Sequence, residues 1–401
     1  MGLYNYKKAI ISIFVVGLLA FSGFIYFKMF SNSYSELEEI NGQDLNFEEL
    51  DKIFTEIAES KGAEYAFEVL RQAELPPNTD THLLGHTVGD VLYKDKGIKG
   101  MVVCTDDFRN ACSHSIVVGH LLENGESALG DIFKACRKAP GGSGAYGMCY
   151  HGLGHGVLAY ADYDLEKAVA LCENNKTIEG GGVESVECIG GIIMEIVSGG
   201  QHNPEAWGAS RAKYLFGSND PLYPCTASFM SPQARRQCLL YLTPHLWEYT
   251  SENINEPRAE DFKIAFRLCD TLPTASAIEK DACYGGFGKE FVGLVKSRDI
   301  RQIENFNHEN SKQVYDWCLL AGEGDGIKAC IRHVVNSLYW GGENSIDAPI
   351  VFCEEIRESQ YQRECFEHLS GVVSYYSGGD INKVAELCGK IPEELRGYCK
   401  Q

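Results

Sequence analysis

Cys136-Arg137-Lys138-Ala139-Pro140-Gly141-Gly142-Ser143-Gly144-Ala145-Tyr146-Gly147-Met148-Cys149 is the stretch on which the reading of the fold turns. A cysteine ends one segment, a Pro/Gly/Ser turn follows, and a second cysteine opens another segment. The arrangement recurs along the chain. All sixteen cysteines fall into eight pairs: Cys104 and Cys112, Cys136 and Cys149, Cys172 and Cys188, Cys225 and Cys238, Cys269 and Cys283, Cys318 and Cys330, Cys353 and Cys365, Cys388 and Cys399. Partners are 8 to 16 positions apart, and pair starts recur every 32 to 53 residues, most often near 35. A period of this size belongs to stacked helical hairpins.

The local sequence agrees with that period. The first cysteine usually closes an amphipathic segment, as in Ala168-Val169-Ala170-Leu171-Cys172. The second opens an apolar one, as in Cys188-Ile189-Gly190-Gly191-Ile192-Ile193-Met194-Glu195-Ile196-Val197. No stretch alternates with period two, so the expected class is all-α, a solenoid of disulfide-stapled helical hairpins. In an antiparallel helix pair the end of one helix lies beside the start of the next, within the roughly 6 Å between Cα atoms that a disulfide spans. Each second cysteine is therefore expected to bond the first of its own pair. Zinc is the rival for paired cysteines, but no Cys-x-x-Cys occurs and no further thiols or histidines stand at finger spacing. In their general shape, stacked stapled hairpins resemble Sel1-type or tetratricopeptide-type solenoids, although the tetratricopeptide consensus is absent.

Ala9 to Phe27 is apolar and uncharged, with Lys7 and Lys8 before it and Lys28 after it. It is long enough to cross a bilayer as a helix. The lysines before it and the acids after it (Glu36, Glu38, Glu39, Asp44) predict a cytoplasmic N-terminus and an extracytoplasmic remainder, periplasmic or at the cell surface. A cleaved signal peptide with small residues at Ala20-Phe21-Ser22 exports the remainder equally well, and either route suits oxidised cysteines. The formal charge of −20 repels phosphate backbones, so nucleic acid is not an expected partner.

The repeats differ in histidine. Asp80-Thr81-His82-Leu83-Leu84-Gly85-His86 and Cys149-Tyr150-His151-Gly152-Leu153-Gly154-His155 share one form, with Asp80 standing where the cysteine would be. Between them, Cys112-Ser113-His114-Ser115-Ile116-Val117-Val118-Gly119-His120 keeps the first histidine and shifts the second by two. Later repeats carry other residues at these offsets, among them Gly190 and Met194 after Cys188. Histidines four apart project from one helix face, a common way to present two metal ligands. Stacking would bring equivalent positions of successive helices together. His82, His86, His151 and His155 are thus the expected metal ligands, joined by His114 or His120. Those two stand six apart and cannot both face one site on a regular helix. His114 matches by its distance from Cys112, His120 by its Val-Gly-His context.

Imidazole-rich sites suit zinc, copper or iron, with haem as a further alternative. Asp90, Glu123 and Glu195 are candidate supporting carboxylates. The remaining histidines, His202, His245, His308, His333 and His368, read as ordinary hydrogen-bonded imidazoles, and the glycines among the histidines read as architecture that lets helices approach. The expected organisation is a membrane anchor (1–30), a helical lead (31–79, helical over Phe47 to Leu75), histidine-bearing repeats (80–202), an irregular insertion (203–224) and further stapled repeats (225–401). The expected function is a membrane-anchored metal-binding protein, redox-active or hydrolytic if an enzyme. The alternative from another class is a cell-surface scaffold that presents its solenoid to a protein partner.

Overall fold

The computed structural model describes residues 34–174, 182–273, 276–301, 305–322, 324–341 and 345–399. The apolar run 9–27 lies outside them, and among the described residues no helix is long and apolar enough to cross a membrane. The described residues contain helices and no strand.

The lead is a helical pair, α1 (Phe47–Lys61) and α2 (Ala63–Gln72). A reciprocal capping box between Asn46 and Glu49 starts α1. Gly62, at φ +96°, ends it and opens α2. Each repeat then pairs an outer helix or turn with an inner helix. The inner helices are α3 (Thr81–Lys96), α4 (Asp107–Asn124), α6 (Gly142–Tyr160), α8 (Val183–Ser198), α10 (Pro232–Tyr241), α13 (Ala277–Val295), α15 (Gly324–Gly341) and α17 (Ser359–Tyr376). Between and after them run α5 (Leu129–Cys136), α7 (Leu165–Glu173), α9 (Pro204–Tyr214), α11 (Thr243–Thr250), α12 (Ala259–Asp270), α14 (His308–Cys318), α16 (Asp347–Glu354) and α18 (Ile381–Lys390).

All sixteen cysteines are paired as the spacing predicts, with Cα separations of 5.4 to 5.8 Å. In seven of the eight bonds the second cysteine sits in an inner helix; Cys399 instead follows a 3-10 turn at the C-terminus. Each bond closes a loop of 8 to 16 residues. Loops of that size stabilise by about 3 kcal/mol through restriction of the unfolded chain. Replacing Cys136 and Cys149 by alanine is therefore expected to lower unfolding stability by about 3 kcal/mol, read from denaturant midpoints. Peptide maps of the unreduced protein should return only the eight local bonds, and bonds between distant repeats would refute the staple arrangement.

The stretch 203–224, expected to be irregular, carries α9. Asn203 caps it by accepting from Ala206 N, and Pro204 fills the first turn, where its missing N–H costs nothing.

The repeats curve so tightly that the row of inner helices returns on itself. α3 packs on α4, α4 on α6, α6 on α8 and so on to α17, and then α17 touches α6 and α15 touches α4. Polar contacts fasten the seam. Arg301 Nη1 donates to the carbonyls of Leu70 and Ala73 at 2.6 and 2.7 Å, and Asn78 N donates to Ser297 O at 2.8 Å. The concave side therefore becomes a central cavity of about 180 Å³, lined from every inner helix, from His82 on α3 to Tyr376 on α17.

Inner helices approach closely where glycine meets glycine. A Cβ on Gly154 would lie 2.0 Å from the Cys188 carbonyl oxygen, and one on Gly191 would lie 1.9 Å from that of His151. These glycines bring α6 and α8 nearly into backbone contact, and so set how close the histidines of α6 come to Met194 and Glu195.

Candidate metal centre

Three successive inner helices bring five histidines together. His82 and His86 come from α3, His114 from α4, and His151 and His155 from α6, all buried. His114 is the hub: its ring centroid lies 5.4 to 5.6 Å from those of His82, His86, His151 and His155. His82, His114 and His155 each offer one ligand atom, and these atoms lie within 4.8 Å of one another. His86 Nε2 stands 3.2 Å from His82 Nε2.

His120 lies apart from this cluster. It is half-buried beside Tyr93, and Asn124 Nδ2 approaches its Nδ1 at 3.2 Å. Distance from the cysteine decides between the two candidates. His114 follows Cys112 by two residues, as His151 follows Cys149, and the disulfide fixes each inner helix in the same rotational register. The Val-Gly-His context of His120 carries no such constraint.

The outer faces of the rings determine their tautomers. His82 Nδ1 donates to the Phe108 carbonyl at 2.6 Å, an oxygen that can only accept. His155 Nδ1 donates to Glu195 Oε2 at 2.9 Å. Ser115 Oγ lies 3.1 Å from His86 Nδ1 and 3.0 Å from the His86 carbonyl oxygen. His82 thus carries its proton on Nδ1 and keeps a lone pair on Nε2, while His86 and His155 engage their Nδ1 atoms on the outer side of the cluster. Burial, more than the neighbouring imidazoles, holds His86, His114 and His151 well below the ordinary histidine value and His82 at about 4, so the charged forms are disfavoured. His155 Nε2 and both nitrogens of His114 are buried without a hydrogen-bond partner.

Phe108, Arg109 and Asn110 have φ of +52°, +54° and +64°, three consecutive non-glycine residues in the left-handed region. Each costs roughly 1–2 kcal/mol. The Cys104–Cys112 disulfide brackets this turn, and Arg71 Nε, donating to Asp107 Oδ2 at 2.6 Å, anchors its start. The turn aims the Phe108 carbonyl at His82 and brings Arg109 to the cavity wall.

Glu195 is a fully satisfied buried carboxylate. Besides His155 it accepts from Tyr163 Oη and Gly200 N, both at 2.9 Å. Burial opposes its ionisation, but the bond from His155 and the other donors hold it below its ordinary value. Of the other two acids weighed, Glu123 accepts from Tyr93 Oη, near His120, and Asp90 lies near Ser115 and His202. Glu195→Gln would set an amide N–H₂ against donors, and is expected to weaken metal binding about 10- to 100-fold, measured by competition with a chromophoric chelator. Unchanged affinity would show that Glu195 does not orient His155.

Residues not singled out from sequence complete the surroundings. Met194 Sδ lies 3.3 Å from His151 Nε2, and Glu187, pushed up to about 7 by burial, lies 3.8 Å from His151 Nδ1. Met194 occupies, in the next repeat, the offset of the second histidine, and that was the signal for it. His202 lines a small adjoining cavity with His86 and His155, and His333 lines the central one. His308 and His368 are hydrogen-bonded to Glu355 and Asn336, as ordinary imidazoles are.

The buried rings also set a pH dependence for chelated protein. Unfolded His82 takes its proton near pH 6.5, whereas the folded residue does so only near 4. Between these values the unfolded chain binds more protons, so stability is lost as pH falls through that window and is retained above it. For His82 alone the loss is on the order of 3 kcal/mol. Urea midpoints should fall on the acid side; a rise there would contradict neutral buried imidazoles.

No known protein-family model, curated protein or solved structure matches this chain, so its functional reading rests on the geometry above.

Proposed function

We propose that this protein binds a transition-metal ion through the Nε2 atoms of His82, His86 and His155 and a nitrogen of His114, in a domain held outside the cytoplasmic membrane. The observation that carries the reading is that the lone pairs on His82 Nε2 and on the His114 ring turn to one buried centre beside the unpartnered Nε2 of His155, with the Nδ1 atoms of His82, His86 and His155 engaged on the outside. An ion at the centre gives those lone pairs a partner. Four nitrogens about 2.0–2.1 Å from an ion lie about 3.3 Å apart in a tetrahedral site. The His82–His86 edge of 3.2 Å already fits, the widest edge of the His82–His114–His155 triad needs to contract by about 1.5 Å at most, and His86, outside that triad, joins it by a larger ring movement.

Zinc, copper and iron all accept imidazole, and the thioether of Met194 at the edge of the cluster adds a soft donor that suits copper. The rings contact one another directly, with centroids 4.7 to 5.9 Å apart, which leaves no slot for a porphyrin and favours an ion over haem. Eight closed disulfides support the extracytoplasmic placement. The concave face encloses a cavity, which favours small-molecule chemistry at a metal over the display of a scaffold surface.

Elemental analysis of the full chain, purified without added metal or chelator, tests the reading. About one equivalent of zinc, copper or iron per chain is the expected result. Protein that holds no metal, and takes up neither cobalt nor copper when offered them, would overturn it.

A further inference from the structure

The central cavity has a second chemical character beside the histidines. Arg109 reaches it from the left-handed turn, and its Nη2 donates to Ser337 Oγ at 3.2 Å. Ser337 in turn donates to the Lys289 carbonyl at 3.1 Å. Among the described residues no carboxylate lies within ion-pair distance of Arg109. Glu290 and Asp80 act on it from farther away, and Glu290 is paired with Lys289. A guanidinium at a cavity wall, desolvated and lacking a carboxylate, leaves its planar fork of donors open to an anion.

One turn beyond Ser337 on the same face of α15 stands Trp340, stacked on Tyr376 with centroids 4.8 Å apart and planes 19° from parallel. Its indole N–H is shielded from solvent and has no hydrogen-bond partner. A Cβ on Gly144 would lie 1.7 Å from this indole, so α6 carries a glycine where the ring sits. Aromatic surface and an unsatisfied donor therefore flank the guanidinium on one side, and His82 and His114 line the same cavity.

We propose that the central cavity binds a small monocarboxylic acid bearing one flat apolar ring, its carboxylate on Arg109 and its ring against Trp340 and Tyr376. Size and charge select this class. A cavity of about 150 Å³ accepts a benzene ring, so about 180 Å³ accommodates one ring and its carboxylate. Arg109 is the one cationic side chain on the wall without a carboxylate partner among the described residues, so a monoanion is matched and a dianion is not. The ligand lies beside the histidines, and only its encounter with an ion there rests on the metal reading; its capture by Arg109 needs no ion.

Calorimetric titration of the full chain with benzoate, in metal-loaded and chelated forms, tests the proposal. Saturable binding is expected in both forms. Arg109→Gln should weaken it about 10- to 100-fold, with helix content unchanged. Ser337→Asp keeps Arg109 but gives it a carboxylate, and should weaken benzoate to a similar extent, which covers the case in which Arg109→Gln fails to fold. Benzamide, of the same shape and uncharged, should bind far more weakly than benzoate, and so should phenyl phosphate. The proposal is overturned if folded wild-type protein does not bind benzoate, if Ser337→Asp leaves binding unchanged, or if benzamide or phenyl phosphate binds as tightly. Benzoate binding by protein that holds no metal would sustain this proposal while the metal reading failed. Bound metal without benzoate binding would do the reverse.

Discussion

Replacing His86 and His155 together by alanine is expected to leave the protein without bound metal, with its helix content and eight disulfides intact. The two residues lie 69 positions apart in sequence, on α3 and α6, yet their ring centroids are 5.9 Å apart. Each has its Nδ1 engaged on the outer side, by Ser115 and by Glu195, and so turns Nε2 toward the cluster. A four-ligand zinc site contributes about 10–16 kcal/mol, so losing half the ligands should lower affinity by at least about 10³-fold. The helices should persist because their packing rests on apolar residues such as Leu84, Ile116 and Leu153, and the disulfides hold the repeats independently of the rings. His120→Ala is the control and should retain full metal, since His120 sits with Tyr93 and Asn124. Metal retained by the double variant, or lost from His120→Ala, would mean that the ligands lie elsewhere.

A stability effect as large as the loss of one disulfide is expected at Gly154. Its added Cβ would come within 2.0 Å of the Cys188 carbonyl oxygen and 2.9 Å of Gly191 Cα. Both are backbone atoms, so no side-chain rotation relieves the clash, and α6 and α8 must separate. Overpacking costs typically 1–3 kcal/mol, and a backbone obstacle places Gly154→Ala at about 3 kcal/mol. The separation would also draw His155 away from Glu195 across the same helix pair, so the variant should bind metal more weakly as well. Gly130 offers a contrast, because a Cβ there meets nothing within 4 Å; Gly130→Ala should be neutral or slightly stabilising, by up to about 1 kcal/mol. Denaturant midpoints of the two variants measure the difference. A Gly154→Ala protein as stable as the wild type would show that the two helices do not pack this closely.

The sequence by itself determined the helical hairpins, their period and their staples. Each of those features depends on residues within about 50 positions of one another: a turn, two amphipathic segments, and two cysteines that the turn brings together. It also marked His82, His86, His151 and His155 and, through the distance from Cys112, the case for His114. What the sequence left open was settled by contacts between distant parts of the chain. The choice of His114 over His120 followed from the packing of α3 and α6 against α4, which sets His114 among the other four rings and leaves His120 with Tyr93 and Asn124. The sharp curvature that closes the row of inner helices depends on side chains meeting across more than two hundred residues, such as Arg109 with Ser337 and Arg301 with Leu70. No local pattern encodes a meeting of that kind. The same holds for the supporting groups. Glu195, Ser115 and the Phe108 carbonyl become partners of the histidines only when neighbouring repeats stack, and the carbonyl does so through a left-handed turn that an ordinary Phe-Arg-Asn sequence does not announce. Local spacing thus fixed which residues could be ligands, and packing between repeats decided which of them meet.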